Sequence, residues 1–395
     1  MALSFDSICA KAVEPVYSTK VHSLSIHPNT SFVFEDFAQS KRIFSGKEKG
    51  HVYSRYANPT VEAVASKLAE LEVLGSNQQA RAYLTSSGMS AISTCLLAFA
   101  RENKRIMISR DLYGGTLELV DKIIEPLGME VEYMDLSDMS HLKDVLSEKK
   151  YDLLFYETPT NPLLKTFPLK EIHELCRKHG VMSMVDNTFC TAYIQQPLLH
   201  GADLVIYSAT KYLAGHGNCT AGVVISSDQE KMTKTFWPAL KLLGGNCSPF
   251  EAWNLNNGLK TLSLRLERHA ANALALAEFL EGRDAVQAVH YPFLGESSNS
   301  KTARKQMRLG GGMLSFDLKG GEEKVASVMD NCRLIKNAPT LGDTDSLFLH
   351  PFSSSHVNVD PVLRAKSGVT EGLLRISVGL ENIEDLKEDL IQAGI

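Results

Sequence analysis

The most restrictive feature of the sequence is a series of seven short apolar runs that alternate with longer amphipathic stretches. Each run has the length of a β-strand, and intervening stretches such as 169–179 space their apolar residues at helical intervals. This alternation predicts an α/β protein with a mainly parallel seven-stranded sheet, covered by helices on both faces. Sheets of this kind bind ligands at the carboxyl ends of their strands. The predicted strands are 82–84, 105–109, 129–134, 152–157, 181–186, 203–207 and 222–226.

The chain is predicted to divide into three parts. Residues 1–60 have weak periodicity and several Pro and Gly residues, which indicates an extended arm. Residues 61–257 contain the seven strands and form the large domain. The alternation ends there, and we expect residues 258–395 to form a smaller α+β domain. Its predicted elements are a long helix at 258–281, strands at 286–291, 313–318 and 373–378, and a closing helix at 381–389.

Charge and cysteine content argue against several classes of protein. The 395 residues carry 41 Lys and Arg against 46 Asp and Glu, a formal net charge of −5. This balance provides no general attraction to nucleic acid or to anionic lipid. The seven cysteines form no C-x-x-C pair, so we expect reduced thiols in a cytoplasmic protein and no metal site. Residues 1–20 lack the apolar core of a secretory signal, and no stretch has the length of a membrane-spanning helix.

Polar residues directly after the predicted strand 203–207 indicate a site for an aldehyde cofactor. Lys211 follows this strand end together with Ser208 and Thr210. A lone lysine in such a position is usually solvated, but the two hydroxyl groups could hold a phosphate beside it. A partly desolvated lysine amine is a nucleophile that forms a Schiff base with an aldehyde. Asp186, at another strand end, is either a loop cap or the partner of a protonated pyridine nitrogen, as in pyridoxal phosphate (PLP).

Further strand ends carry residues that could reach the same ligand. Gly88 lies between a strand and a helix, in a segment that is either an ordinary helix cap or a phosphate-binding site. Tyr113 is either a core or rim residue, or a ring that stacks on a flat cofactor and exchanges a proton. Glu157 and Asn161 end the strand 152–157 and could face the ligand. The absence of a Gly-rich nucleotide motif between a strand and a helix argues against a Rossmann oxidoreductase.

Taken together, these segments resemble the PLP-dependent enzymes of cysteine and methionine metabolism. This family includes cystathionine γ-synthase, cystathionine γ-lyase, methionine γ-lyase and O-acetylhomoserine sulfhydrylase. The resemblance covers nearly the whole chain and implies fold type I of the PLP-dependent transferases, which is similar to aspartate aminotransferase. The matching motifs are YSRYANPT at 53–60, SSGM at 86–89, LYGGT at 112–116, ETPTNP at 157–162, SMVDNT at 183–188, SATKYLAGHGN at 208–218 and LLRISVGLE at 373–381.

The resemblance implies a set of cofactor-binding residues. Lys211 would form the Schiff base with PLP, Asp186 would hold the ring nitrogen, and Tyr113 would stack on the ring. Lys211 and Tyr113 would also be the catalytic residues. The neighbouring subunit would supply part of the site, so the arm would belong to a dimer and the usual assembly would be a homotetramer. The residues implied to contact the phosphate are Gly88, Met89, Ser208 and Thr210 and, from the neighbouring subunit, Tyr53 and Arg55.

The resemblance also implies a substrate site. Arg375 would bind the α-carboxylate of the substrate with two parallel hydrogen bonds, and Asn161 would assist it. Thr340, placed with these residues, stands where serine is usual. Two other positions depart from the family and concern specificity: residue 115 is Gly where methionine γ-lyases typically have Cys, and residue 339 is Pro where cystathionine enzymes often have Glu. The segment 342–351, GDTDSLFLHP, is more similar to the methionine lyase and sulfhydrylase branch.

The resulting hypothesis is an α,γ-elimination from a sulfur amino acid such as methionine, homocysteine or cystathionine. The products would be a thiol, ammonia and 2-oxobutanoate. The alternative is γ-replacement on an O-acylhomoserine by a thiol, since both reactions share every step up to a vinyl intermediate. A third reading is a protein of the same fold that binds or regulates, although no basic DNA-reading element or appended domain is visible.

Overall fold

The computed structural model describes residues 3–10, 22–100 and 103–395 of the chain. These residues form one sheet of seven strands and one of five, with helices packed around both. The segment 1–20, in which the sequence predicts no secretory signal, lies largely outside the described residues. None of the helices in the described ranges combines the length and the apolar character needed to cross a membrane.

The seven-stranded sheet confirms the prediction of a mainly parallel α/β architecture. Its strands are β1 (Arg81–Thr85), β2 (Arg105–Ser109), β3 (Glu130–Met134), β4 (Leu153–Glu157), β5 (Met182–Asp186), β6 (Leu204–Ser208) and β7 (Gly222–Ser226). Their order across the sheet is β1-β7-β6-β5-β4-β2-β3. Strand β7 is antiparallel to its two neighbours, and all other neighbouring strands are parallel. Each of the seven predicted strands overlaps one of these.

Helices connect and cover the strands. They are α1 (Phe5–Ala10), α2 (Phe37–Phe44), α3 (Pro59–Glu72), α4 (Gly88–Phe99), α5 (Gly114–Leu119), α6 (Met139–Glu148), α7 (Leu169–His179), α8 (Thr191–Ile194), α9 (Gln229–Lys231), α10 (Trp237–Leu243), α11 (Pro249–Leu259), α12 (Leu262–Glu281), α13 (Ser298–Gln306), α14 (Gly321–Asn331), α15 (Pro361–Ser367) and α16 (Ile383–Gln392). Short π-helical and 3-10 turns extend α5 and join α9 to α10.

The central strand β4 shows why the sheet is covered on both faces. Leu153 and Phe155 pack with residues of α4 in one apolar cluster, whereas Leu154 and Tyr156 pack with residues of α7 in another. All four side chains are fully buried. Because successive side chains of a strand point to opposite faces, a strand buried on both faces has a continuous apolar sequence.

A smaller sheet follows in the C-terminal part of the chain. Its strands are β8 (Val286–His290), β9 (Met313–Leu318), β10 (Lys336–Asn337), β11 (Leu347–Leu349) and β12 (Leu373–Ser377), in the order β10-β11-β12-β9-β8. The sequence predicts β8, β9 and β12. It misses β10 and β11, because two or three residues are too few to show an alternating pattern.

Two other expectations need refinement. The helix predicted at 258–281 is found as α12, which ends at Glu281 as predicted but begins at Leu262, because α11 ends at Leu259. The N–H groups of Lys260 and Thr261 bond to carbonyls three residues before them, which is a tighter turn than an α-helix makes. The predicted arm contains α2, whose first turn is capped by the side chain of Asp36. The predicted division at residues 60 and 257 stays a prediction.

A buried hydrogen-bond network fixes the ends of β5 and β6, which carry candidate site residues. The hydroxyl of Tyr207 in β6 donates to the carboxyl of Glu72 in α3 and accepts from Asn187 Nδ2 at 3.0 Å. Glu72 is fully buried, and this burial raises its pKa to about 8 despite the hydrogen bond from Tyr207. Because Asn187 and Tyr207 adjoin Asp186 and Ser208, the network sets the positions of both strand ends.

The raised pKa of Glu72 makes the stability of the fold depend on pH. In the folded state Glu72 keeps its proton up to about pH 8, whereas in the unfolded chain it loses the proton near the ordinary glutamate pKa of 4.5. The free energy of unfolding therefore falls as pH rises through this window, by at most ~1.4 kcal/mol per pH unit from this group. We expect Glu72→Gln to remove this contribution, as measured by urea unfolding at pH 5, 6.5 and 8.

The matched control is Glu70→Gln, because Glu70 lies on the same helix and is exposed. It should keep the pH dependence of the unmodified protein. A Glu72→Gln protein with the same pH dependence as the control would contradict the prediction.

Candidate active site

The strand ends of the large sheet bring the predicted polar residues to one edge. β4 ends at Glu157 and β5 ends at Asp186, and these two residues are direct neighbours in the parallel register. β6 ends at Ser208, and Lys211 follows in the loop. Asn161 follows β4 at the same edge. The carboxyl edge therefore collects the predicted residues, as expected for a sheet of this topology.

The amine of Lys211 lies where the two sheets meet. Its Nζ donates a hydrogen bond to Thr340 Oγ1 at 3.0 Å, and Thr340 belongs to the segment between β10 and β11 of the smaller sheet. Burial and the nearby cation of Arg375 lower the pKa of Lys211, whereas Asp343 acts in the opposite direction. More of the amine is therefore unprotonated, and able to act as a nucleophile or base, than in a solvated lysine.

Arg375 is the buried cation of this site. It lies in β12 with 3% exposure, its Nη1 donates to Asn161 Oδ1 at 2.9 Å, and its Nη2 approaches the carbonyl of Thr340 at 3.4 Å. Its Nε is buried and has no hydrogen-bond partner among the described residues. Burial lowers the pKa of Arg375 to about 10, so the group stays charged at neutral pH. The structure thus brings Arg375, Asn161 and Thr340 to Lys211.

The start of α4 forms a close contact with the end of β6. Ser87 caps the helix by accepting from the N–H of Ser90 at 3.0 Å, and Gly88 is the first helical residue. A Cβ atom at Gly88 would lie 2.8 Å from Cβ of Ser208, so only glycine leaves room there. Unsatisfied N–H groups at a helix start and a serine hydroxyl beside them suit a phosphate group.

Two other residues predicted at the phosphate take different positions. The hydroxyl of Thr210 donates to the carbonyl of Ala221 at 3.2 Å and accepts from the N–H of Ala221 at 3.1 Å. The side chain of Met89 packs against the apolar cluster beneath α4. Neither side chain is free for an anion in this arrangement, and their contact with a phosphate stays a prediction.

Asp186 is held at the sheet edge by the residues that follow it. Its Oδ1 accepts from the N–H of Thr188 at 2.9 Å, and Thr188 Oγ1 accepts from the N–H of Ser208 at 2.8 Å. Burial raises the pKa of Asp186, and the hydrogen bonds from Thr188 partly oppose this effect. A cationic ring nitrogen beside the carboxylate would favour its ionised form.

Tyr113 precedes α5, and its backbone is fixed by Glu157. The N–H of Tyr113 donates to Glu157 Oε2 at 3.2 Å, while its side chain is 42% exposed. A Cβ atom at Gly115 would lie 2.6 Å from Cε1 of the Tyr113 ring, so the glycine allows the ring to occupy this position. An exposed ring at this edge can stack on a flat ligand.

The structure does not bring Tyr53 and Arg55 to Lys211 within one chain. Nη1 of Arg55 donates to the carbonyl of Lys241 at 2.6 Å, and its guanidinium lies 5.0 Å from the ring centroid of Tyr56. Arg55 also borders a cavity of about 580 Å³ between α3 and α10. Tyr53 is 38% exposed. Their predicted contact with the phosphate of another subunit stays a prediction.

Sequence reasoning missed several residues beside the site. Asp343 is buried near Lys211, and its position within 342–351 was the only signal available. His356 is 3% exposed, and burial with the nearby cations of Arg375 and Arg364 lowers its pKa to about 4. Neither residue follows an apolar strand, so strand ends could not point to it.

The donor set fits PLP. A lysine amine with a lowered pKa, a carboxylate at the neighbouring strand end and a glycine-lined helix start lie at one sheet edge. Within the described ranges no group of three or more His, Cys, Asp or Glu side chains is placed to hold a metal ion. The arrangement can therefore bind an aldehyde and a phosphate, and it can orient a carboxylate with Arg375.

Known proteins resemble the chain over nearly its whole length. The family described as "Cys/Met metabolism PLP-dependent enzyme" matches residues 8–394. L-methionine γ-lyase from Porphyromonas gingivalis is 40% identical over 92% of this chain and 90% of its own. O-succinylhomoserine sulfhydrylase from Pseudomonas aeruginosa is 37% identical over 98% of this chain and 94% of its own.

A solved structure agrees with the sequence relatives. Cystathionine γ-synthase from Xanthomonas oryzae pv. oryzae, in complex with aminoacrylate and cysteine, superposes with a TM-score of 0.92. Its sequence identity is 33%, and the match covers 100% of this chain and 98% of that one. The chain therefore belongs to the PLP-dependent enzymes of cysteine and methionine metabolism.

Proposed function

We propose that the protein catalyses α,γ-elimination on a sulfur amino acid. With methionine, one molecule of substrate and one of water would give methanethiol, ammonia and 2-oxobutanoate. The observation that carries the proposal is that the partly buried amine of Lys211 lies close to the buried guanidinium of Arg375 on β12. Both groups lie at the carboxyl edge of the large sheet. The 40% identity to a methionine γ-lyase and the segment 342–351 support this branch of the family.

The PLP group supplies an electron sink for the charge that develops when a proton leaves Cα of the substrate. The remaining chemistry falls to residues of the chain. The Lys211 amine, with its pKa lowered by burial, would take the proton from Cα, would return it to the bound substrate and cofactor, and, unprotonated again, would take a second proton from Cβ. Thr340 Oγ1, 3.0 Å from this amine, would orient it towards the substrate.

Arg375 would orient the substrate. Its unpartnered Nε and its Nη2 group could hold the two oxygens of the α-carboxylate, because a guanidinium matches a carboxylate with two parallel hydrogen bonds. Asn161 Oδ1 fixes the opposite side of the guanidinium through Nη1. This arrangement would hold Cα within reach of Lys211.

Tyr113 would protonate the leaving group. Its exposed ring lies at the same edge, and its hydroxyl can give a proton to the sulfur as the bond to Cγ breaks. Without this proton the sulfur would leave as a thiolate, which is a poorer leaving group than the neutral thiol. Gly115 permits the ring position on which this role depends.

The second candidate function is γ-replacement on an O-acylhomoserine by a thiol. The 37% identity to an O-succinylhomoserine sulfhydrylase, over 98% of this chain, favours it. Gly115 also departs from the cysteine typical of methionine γ-lyases. The two reactions would use the same roles of Lys211, Tyr113 and Arg375. They would diverge only after the bond to Cγ has broken, when either a thiol bonds to Cγ or the product is released and hydrolysed to 2-oxobutanoate and ammonia.

The proposal includes a homotetramer of cytoplasmic chains, with Tyr53 and Arg55 acting in the neighbouring subunit. Exposed apolar side chains support the proposal that the predicted arm packs against another subunit. Val33, Phe37 and Phe44 are 99%, 84% and 66% exposed. Surfaces of this kind are usually covered by another chain. All seven cysteines lie in the described ranges as free thiols, which suits a reducing compartment.

Substrate choice separates the two candidate functions. The protein should be incubated with methionine, cystathionine and O-acetylhomoserine, each with and without an added thiol. We expect 2-oxobutanoate from methionine without added thiol, because elimination needs only water. No 2-oxobutanoate without thiol, together with a new thioether amino acid in its presence, would assign γ-replacement instead.

The Lys211→Ala protein tests the proposed role of the lysine. We expect it to lose the visible absorbance band of lysine-bound cofactor and to lose turnover by more than roughly 10³-fold, because both base and covalent anchor disappear. Absorbance after addition of PLP and borohydride trapping measure the first effect. Lys178→Ala is the control, since Lys178 is an exposed lysine of α7. Retention of both band and turnover in Lys211→Ala would reject the assignment.

The Arg375→Ala protein tests the carboxylate contact. We expect the KM to rise by roughly 10- to 100-fold, which corresponds to the loss of a charge-assisted hydrogen-bond pair. The variant should still take up PLP and show the visible band of lysine-bound cofactor, because Arg375 has no assigned contact with the cofactor. An unchanged KM would contradict the assignment.

A further inference from the structure

Asp343 is a buried carboxylate beside the candidate site that has no part in the roles proposed so far. Its exposure is 9%, and its Oδ1 has no hydrogen-bond partner among the described residues. The carboxyl group faces the backbone of Gly217, in the loop after Lys211, because a Cβ atom at Gly217 would lie 3.2 Å from Asp343 Oδ2. A buried carboxylate oxygen without a partner costs free energy, so a residue of this kind usually has a use in the site.

The segment that carries Asp343 is packed directly on Lys211. Thr340 accepts the hydrogen bond from Lys211 Nζ at 3.0 Å, and the N–H of Gly342 donates to Ser377 Oγ at 2.8 Å. A Cβ atom at Gly342 would lie only 3.1 Å from the carbonyl carbon of Lys211. These contacts hold the backbone of Asp343 at a fixed place beside the lysine.

Charges of opposite sign act on the Lys211 amine. Arg375 and burial lower the pKa of Lys211, while Asp343 raises it. In return, burial raises the pKa of Asp343, and Lys211 lowers it. The charged and titratable groups that face this pair are Arg375 on β12, Arg265 on α12, His216 in the loop after Lys211, and Asp345 in the segment of Asp343.

We propose that Asp343 is a positioning residue that stabilises the protonated form of Lys211 between the two proton transfers. The inference rests on the proposed role of Lys211 as the base. After the amine takes the proton from Cα, it carries a positive charge next to the guanidinium of Arg375. The carboxylate of Asp343 offsets this repulsion, so the ammonium keeps the proton until it returns it to the bound substrate and cofactor, and the amine is then free to take the proton from Cβ.

Removal of this charge should change the protonation of Lys211 in a known direction. Without Asp343, burial and Arg375 act unopposed, so the amine should lose its proton at lower pH. Coulomb's law for two groups in a partly buried site gives a shift of roughly 0.5–1 pH unit. A purely structural role of Asp343 would not move this property.

The experiment measures the rate at which full-length protein, freed of cofactor, takes up PLP between pH 6 and 10. Uptake needs the unprotonated amine of Lys211, and it is followed by visible absorbance. The Asp343→Asn protein should show its midpoint roughly 0.5–1 pH unit below that of the unmodified protein. The Asp345→Asn protein is the matched control, because the Asp345 side chain is 60% exposed and lies two positions away. It should keep the original midpoint.

The kinetic constants supply a second measurement. The Asp343→Asn protein should lower kcat with little change in KM, since Asp343 has no assigned contact with substrate. A midpoint equal to that of the control, or one at higher pH, would overturn the proposal. If the Asp343→Asn protein does not fold, the Asp343→Ser protein takes its place in both measurements. Failure of both variants to fold would assign Asp343 to stability and would also overturn the proposal.

The failure of this inference can be told apart from failure of the proposed function. If Lys211→Ala keeps the absorbance band, the lysine assignment is wrong and the inference falls with it. If Lys211→Ala loses the band and Asp343→Asn leaves the midpoint unmoved, the role of Asp343 alone is wrong.

Discussion

The Lys211 amine lies within electrostatic range of the buried guanidinium of Arg375, and the rest of the site compensates for these two cations. Two like charges can share a low-dielectric pocket only when oxygen atoms and carboxylates surround them. Asn161 Oδ1 and the hydroxyl and carbonyl of Thr340 supply oxygen atoms at hydrogen-bond distance. Asn161 follows β4 of the large sheet, and Thr340 lies between β10 and β11 of the smaller sheet. The site therefore forms only when the two sheets are packed together.

The carboxyl groups at the sheet edge fix the backbone around the site. Glu157 and Asp186 are neighbours in register, and burial together with the charge of Asp186 raises the pKa of Glu157 far above its usual range. Glu157 accepts the backbone N–H groups of Asn161 and Tyr113, and it thereby fixes a substrate contact and a ring contact at once. Among the described residues, Thr188 is the donor to Asp186, and the carboxyl group is otherwise available to a cationic ligand.

The sequence predicted the parts of the site that follow buried strands. A strand buried on both faces has a continuous apolar run, so its end is visible, and Asp186, Ser208 and Lys211 could be placed at one edge. Arg375 could not be recognised in this way, since a charged residue within a strand of the smaller sheet is ordinarily a surface residue. The family resemblance alone pointed to it.

The residues missed by sequence reasoning depend on tertiary packing. Asp343 and His356 lie in irregular segments, where neither hydrophobic periodicity nor the end of a strand indicates which way a side chain points. Their burial results from contact with the other sheet, which no local pattern reports. The break between α11 and α12 escaped for a similar reason, because a tighter turn at Lys260 and Thr261 leaves the apolar spacing of the helices intact.

Loop 350–360 brings a buried imidazole close to Arg375. The carbonyl oxygen of Ser355 packs directly against Gly114: a Cβ atom at Gly114 would lie 1.8 Å from this oxygen. The loop therefore adjoins Tyr113. His356 in this loop is buried, and its low pKa keeps the imidazole neutral at physiological pH. The burial of the ring and the nearby cations of Arg364 and Arg375 disfavour a further positive charge at this place, so the loop adds no cation that the oxygen atoms of the site would have to offset.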